Sequence, residues 1–383
     1  MAPSPIAEQR YDLAGRVTLA VTGLDERGHR TVAAQLDPFA PSTVADDLDV
    51  VLSCAALTRP LGLIELHNAA GDGTVTGWNG DGLHLRVSGR WCRLPDVLHG
   101  GPMRFELELG FPLRRAFRGL VRPALQIALL RRGHVAVHGS TVESDGRGIL
   151  VAGWSESGKT ETALALMERG AGFLTDKWTV VGADGTLTAF PIGVGVRRWV
   201  LPYLPRVSAA LPVRSRAQFA VAATADAMSG PLRRRARGRV GGLLADTAER
   251  AVALADRAAL TPSQLRAAYR QDDEPGRRVP LACVALLMNV DGNDVCVKQA
   301  DPAWAAERLA RSAAFERRPW FALQERARYA APGQVPDEHV EAVVARERTL
   351  LQSTLATAQV LVVRAPFPAD PRRAADAIAQ ALR

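Results

Sequence analysis

The stretch Gly148-Ile149-Leu150-Val151-Ala152, followed directly by Gly153-Trp154-Ser155-Glu156-Ser157-Gly158-Lys159-Thr160, decides how this chain is read. Its apolar run reads as a buried strand entered through the turn Asp145-Gly146. The next eight residues fit G-x-x-x-x-G-K-[ST] in full. From Lys159 to Arg169, Ala163, Leu164 and Met167 fall on one helical face, and Gly170 ends the run. Strand, loop and helix are therefore expected in succession. In that setting each fixed position has a reason. The glycines let successive backbone N–H groups point into one concavity. The helix aims the positive end of its dipole at the same spot. Lys159 can reach β- and γ-phosphates, and the Thr160 hydroxyl is a hard oxygen ligand for magnesium. The expected ligand is ATP, or another purine nucleoside triphosphate, with Mg2+. Its expected contacts are Gly153, Ser155, Glu156, Ser157, Gly158, Lys159, Thr160 and Glu161.

Working outward, Phe173-Leu174-Thr175 reads as the next strand and ends on Asp176, seventeen residues after Lys159. A strand returning beside its predecessor brings its carboxyl end to the rim where α/β sheets bind ligands. A carboxylate there can take a proton from an attacking hydroxyl, or sit with Thr160 at the magnesium. Upstream, His134-Val135-Ala136-Val137-His138 reads as a strand, and His138 stands fifteen residues ahead of Gly153. It is a candidate to line the site. His134 shares its expected face and competes with it. Arg197 and Arg198 follow Gly193-Val194-Gly195 and read either as anion ligands or as a solvated pair. The other histidines show no metal-binding spacing.

These residues together resemble the HPr kinase/phosphorylase family and, more distantly, ATP-dependent phosphoenolpyruvate carboxykinase. The resemblance runs from about Gly133 to Val181 and rests on Val137-His138-Gly139, on Ser157 through Leu164, on Arg169-Gly170 and on Asp176. It implies an α/β P-loop kinase core with a mixed sheet, and transfer of the γ-phosphoryl of ATP to a protein serine. By position it implies Lys159 and Thr160 as phosphate and metal ligands, His138 lining the site, and Asp176 as general base. That family carries two adjacent aspartates after the helix; here Lys177 takes the second place. Strand alternation either turns this lysine away from the site or sets an ammonium where a carboxylate stood. The expected activity is an ATP-dependent kinase acting on a hydroxyl, first of all a serine or threonine of a peptide or protein. A small-molecule kinase, a catalytically inactive nucleotide-binding regulator and a carboxykinase-like enzyme are the alternatives. The family's oligomers imply a possible homo-oligomer.

Elsewhere, residues 1–112 read as a β-rich region suited to recognising the acceptor, with strands such as Val17 to Val21 and Leu83 to Val87 set off by turn residues. Residues 113–383 read as the kinase-like domain, with a helical basic insertion at about 205–275 whose segment 231–242 is expected to be flexible. Leu281 to Leu287 reads as a buried strand, with Val295-Cys296-Val297 paired to it across the turn at 291–293. Helices are expected at 303–330, 337–357 and 370–382, and a strand at 360–363. The net charge is +8, but the arginine clusters are spread along the chain and aromatic residues are few. Nucleic acid is therefore not the expected partner. Four cysteines without a CxxC pair argue against disulfides and a cysteine zinc site and fit a cytoplasmic setting. No apolar run approaches the roughly 20 residues that cross a bilayer.

Overall fold

A computed structural model describes residues 8–43, 47–66, 75–94, 101–235, 256–272, 274–333 and 339–383, with backbone alone for 75 and 225–235. The fold is α/β with two mixed sheets. The first holds β1 (Gln9–Leu13), β2 (Val17–Thr22), β3 (Val50–Ala55), β4 (Ile64–Leu66), β5 (Val75–Asn79), β6 (Gly82–Val87), β7 (Arg90–Leu94) and β8 (Met103–Glu108), in the order β1-β2-β3-β8-β7-β6-β5-β4. The turn at Asn79 to Gly82 closes the β5–β6 hairpin. The helix Glu26–Leu36 was not expected. It carries the chain from β2 to its parallel neighbour β3, a connection that needs a crossover. Asp25 caps it, accepting from the Gly28 N–H, but of its larger apolar residues only Val32 and Leu36 are buried. The periodicity is too thin to read in the sequence.

The second sheet holds β9 (Val135–Val137), β10 (Gly139–Ser144), β11 (Arg147–Gly153), β12 (Gly172–Thr175), β13 (Thr179–Val181) and β14 (Thr186–Ala189). A two-stranded ribbon, β15 (Val194–Arg197) with β16 (Arg257–Leu260), stands apart from it. The strands β17 (Val279–Asn289), β18 (Cys296–Gln299) and β19 (Gln359–Ala365) complete the sheet. The eleven-residue β17 joins its two halves. Its middle lies parallel to β11 and β19, while its first residues pair with β14, which leads on to β13 and β9.

Two expected pairings are corrected. The strand β18 pairs with β19, not β17, because seven residues of β19 already run parallel to β17 and leave β19's far edge free. The strand β12 lies beside β10, not β11. Since β10 is antiparallel to both, β11 and β12 still point the same way and end on one rim. The expected flexible segment at 231–242 begins in the helix Val213–Arg235, and from 236 onward it lies outside the described residues.

Alternation along β11 divides the core. Leu150 and Ala152 face a core shared with the first sheet and the helices Arg122–Arg131, Pro302–Ala330 and Val340–Leu355. Ile149 and Val151 face a second core under the helices Lys159–Glu168 and Pro371–Ala381. The long helix Pro302–Ala330 is wedged into the first core. Its Trp320 meets Phe105 of β8 edge-on at 6.3 Å. Its Arg317, 1% exposed, donates from Nη2 to both oxygens of the fully buried Glu347 at 2.6 Å. Removing one partner of such a pair leaves a buried charge without compensation. Arg317→Met should lower stability by about 3–5 kcal/mol in urea unfolding, and adding Glu347→Leu should restore most of the loss. A single variant as stable as the parent would contradict this.

Candidate functional site

The strand β11 runs into Gly153, and the helix Lys159–Glu168 starts six residues later. At Gly153, φ is 149° and a Cβ would lie 2.6 Å from the Leu287 carbonyl oxygen. Gly158 caps the helix in the left-handed region, φ 88°. No other residue type takes these positions without strain. Glu156, at the loop's outer turn, accepts from Arg197 at 2.7 Å and, through its carbonyl, from Asn289 Nδ2 at 3.2 Å. Lys159 is folded into the loop, where Nζ donates to the carbonyls of Trp154 at 2.5 Å and Gly153 at 3.3 Å. Ser157 Oγ is buried in the same loop with no hydrogen-bond partner. A buried ammonium, an unpartnered hydroxyl and the N–H groups of a helix start form a donor set that fits phosphate oxygens.

Asp176 follows β12 directly and is 4% exposed. Its Oδ1 accepts from Thr160 Oγ1 at 2.7 Å and from Ser140 Oγ of β10. Burial pushes its pKa up, against the pull of Ser140, Thr160, the Lys177 N–H and the Lys159 charge. Burial also brings Lys159 down to about 8, although Glu316, Asp176 and Glu161 favour its charged form. Glu161 is buried beside the loop, and its pKa is raised by burial against the charges of Arg197 and Arg257, a directly opposed pair on β15 and β16.

The chain crosses between the halves of the second sheet twice, side by side. His138 links β9 to β10, and Asp176-Lys177-Trp178 links β12 to β13. Lys177 is consequently no strand residue, and alternation does not govern it. Its φ is 64°, the Trp178 N–H donates to the Asp176 carbonyl at 2.7 Å, and its own carbonyl accepts from the Gly139 N–H at 3.1 Å. Such a three-residue turn strains a residue with a Cβ. The Lys177 side chain is exposed, yet the surrounding protein lowers its pKa, and Glu316 and Asp176 oppose that shift as they do for Lys159. Its charge therefore stands at the site.

His138 lies beside these groups. Its ring packs on Trp178 at 5.3 Å, and the buried Nδ1 is 3.7 Å from Glu316 Oε1 with no hydrogen-bond partner. Burial, Lys159 and Lys177 bring its pKa down to about 3, so it is neutral in ordinary buffers. His134 is not its rival. It precedes β9 and contacts Arg16 at 3.4 Å, in a group with Asp184 and Thr186. Arg198 pairs with Asp256 at 2.8 Å.

Sequence reasoning missed three site residues. Ser140 adjoins the quoted His138-Gly139 and was open to discovery. Glu316 and Ser312, which donates to the Gly153 carbonyl at 3.2 Å, come from a helix that only tertiary packing brings to the loop. Two openings flank the loop. A narrow crevice lies on the helix side among Gly158, Glu161, Trp199 and Phe367. A cavity of about 450 Å³ lies on the strand side, beside Trp154, Ser155, Met288, Asn289 and Arg308. Among the described residues no cluster of three His, Cys, Asp or Glu side chains could hold a metal, and none is a helix able to cross a membrane. Thr160 and Asp176 offer the oxygen pair that suits magnesium when phosphates supply further ligands. Neither a scan against protein-family models nor a search of curated proteins finds a match to this chain.

The Lys159 shift carries a stability consequence. Below pH ~8 both folded and unfolded chains hold the proton, and the cost of burying the ammonium is fully present. Between ~8 and ~10.4 only the unfolded chain holds it, so this group makes stability rise with pH. Relative to Lys159→Met, the parent should gain on the order of 1–3 kcal/mol between pH ~7.5 and ~10.5 in urea unfolding. Parallel pH profiles would refute the shift.

Proposed function

We propose that this chain is an ATP-dependent phosphotransferase with a P-loop core of the HPr-kinase type, moving the γ-phosphoryl group to a hydroxyl. The observation that carries the reading is the hydrogen bond from Thr160 to the buried carboxylate of Asp176, formed beside a lysine folded into its own glycine loop. In a P-loop that threonine and such a carboxylate flank the magnesium, and the lysine meets the β- and γ-phosphates. Bound Mg2+ neutralises charge on the phosphate oxygens.

The remaining roles belong to side chains of this protein. Lys159 leaves the loop carbonyls for the phosphates, and Ser157 Oγ gains the partner it lacks. Asp176, its pKa raised by burial, takes the acceptor's proton or shares the metal with Thr160. Lys177 adds positive charge where charge builds up during transfer. His138 is neutral and contributes a ring nitrogen, not a cation. A serine or threonine of a peptide or protein is the acceptor that the family resemblance implies.

Lys177 also favours a second reading, a nucleotide-binding regulator without chemistry, because it puts an ammonium where the similar family carries a carboxylate. The two readings separate experimentally. Both expect Mg-ATP at 100 Kd to stabilise the protein by about 2.7 kcal/mol in thermal or urea unfolding. Both expect Lys159→Ala to weaken that binding. The kinase reading alone expects transfer from γ-labelled ATP that falls about 10²–10⁴-fold in Asp176→Asn while Mg-ATP still binds. Transfer at the parental rate in that variant removes Asp176 as the base, and binding without transfer by the parent favours the regulator.

A further inference from the structure

We infer that Glu316 is the carboxylate that takes the acceptor's proton, which leaves Asp176 to the metal. This rests on the phosphotransferase reading and decides between the two roles that reading leaves open for Asp176.

A proton acceptor needs a lone pair that no other donor holds, on the side where the last phosphate sits. The carboxylates around the loop differ in the first respect. Glu156 is held by Arg197 at 2.7 Å. Glu161 turns back to its own backbone N–H and feels the charges of Arg197 and Arg257. Asp176, 4% exposed, accepts from Thr160, Ser140 and the Lys177 N–H. A carboxylate has about four lone-pair sites, so these donors leave it about one. Thr160 is the hydroxyl that a P-loop turns to magnesium, and the remaining site on Asp176 belongs with it. Glu316 differs from all of these. Its side chain is 22% exposed and makes no hydrogen bond among the described residues.

Its place is set by the helix Pro302–Ala330. Ser312 Oγ and Lys159 Nζ share the Gly153 carbonyl, at 3.2 and 3.3 Å. Glu316 follows Ser312 by about one turn and lies on the same helix face. Phe315 packs on the Trp154 ring at 4.5 Å and holds that part of the helix against the loop. The lysine meets the β- and γ-phosphates, so the face of Ser312 and Glu316 stands at the end where transfer occurs. Of the charges that favour the ammonium forms of Lys159 and Lys177, Glu316 acts most strongly, ahead of Asp176. It is a near neighbour of both lysines.

His138 aims the carboxylate. Its buried Nδ1 stands 3.7 Å from Glu316 Oε1 with no hydrogen-bond partner, and Trp178 packs on the ring at 5.3 Å. A carboxylate only accepts, so the neutral imidazole carries its proton on Nδ1. A small closing movement makes this a hydrogen bond to one oxygen and leaves the other for the acceptor's hydroxyl. The hydroxyl oxygen forms the new P–O bond as the bond from the γ-phosphorus to the β–γ bridging oxygen breaks. ADP keeps that electron pair, and the hydroxyl proton passes to Glu316.

The test measures transfer from γ-labelled Mg-ATP by the full chain into a heat-inactivated cell extract, which supplies hydroxyl acceptors. Glu316→Gln keeps the shape and an oxygen for His138 but takes no proton. Its transfer should fall about 10²–10⁴-fold, with the Kd for Mg-ATP within about twofold of the parent's. Glu316→Ala should lose as much, and added formate, a small carboxylate that fits the space left, should restore its rate at least about tenfold. Asp176→Asn should instead raise the Mg2+ concentration for half-maximal transfer at least about tenfold. Transfer by Glu316→Gln near the parental rate, a loss matched by weaker Mg-ATP binding, no rescue by formate, or an unchanged Mg2+ demand in Asp176→Asn overturns the inference. A parent that transfers no label overturns the phosphotransferase reading itself, so the two failures are distinct.

Discussion

An aspartate cut off from water must find donors or lose its charge, and Asp176 finds three. They come from separate parts of the chain: Thr160 from the glycine loop, Ser140 from β10, and the backbone N–H of Lys177 from the strained turn after β12. Satisfying this one carboxylate therefore fixes the loop, the neighbouring strand and the turn relative to one another. The nearby ammonium of Lys159 shares the burden, and each group helps the other keep a charge that burial disfavours. A carboxylate held in this way is preorganised, in place before a ligand arrives.

The sheet explains why these parts meet. The long strand β17 serves two half-sheets, and the chain passes between them at His138 and again at Asp176 to Trp178. Both crossings lie next to the loop that ends β11. The helix Pro302–Ala330 completes the site from above and also joins it to the first sheet. Trp320 rests on Phe105, Arg317 is locked to Glu347, and the residues just before them, Ser312 and Glu316, stand over the loop. The first sheet thus acts on the site as a buttress for this helix, with one continuous core behind it.

The sequence was most legible where local chemistry sets local structure. The strand into Gly153, the helix from Lys159 and the aspartate after β12 lie where the apolar period and the glycines put them. The pairing of β12 with β10 was not legible, because β10 and β11 form a tight hairpin that leaves β10 free to take the next strand. Nor was the turn at Lys177, since nothing in Asp-Lys-Trp announces a positive φ on lysine. Glu316 lies 140 residues beyond Asp176 in a helix whose other polar residues carry no distinguishing mark. The helix Glu26–Leu36 was hidden by its small apolar face, and what it does, bridging two parallel strands, is a matter of topology.

The account turns on where a metal and the last phosphate of a triphosphate settle. Crystals grown with Mn2+ and a non-hydrolysable ATP analogue would show both, the metal by anomalous scattering. The account predicts manganese coordinated by Thr160, with Asp176 in contact directly or through one water, and the terminal phosphate at the Gly153–Trp154 end of the loop within reach of Lys159. A metal with neither residue in its coordination sphere, or an analogue lying outside the loop, would contradict it.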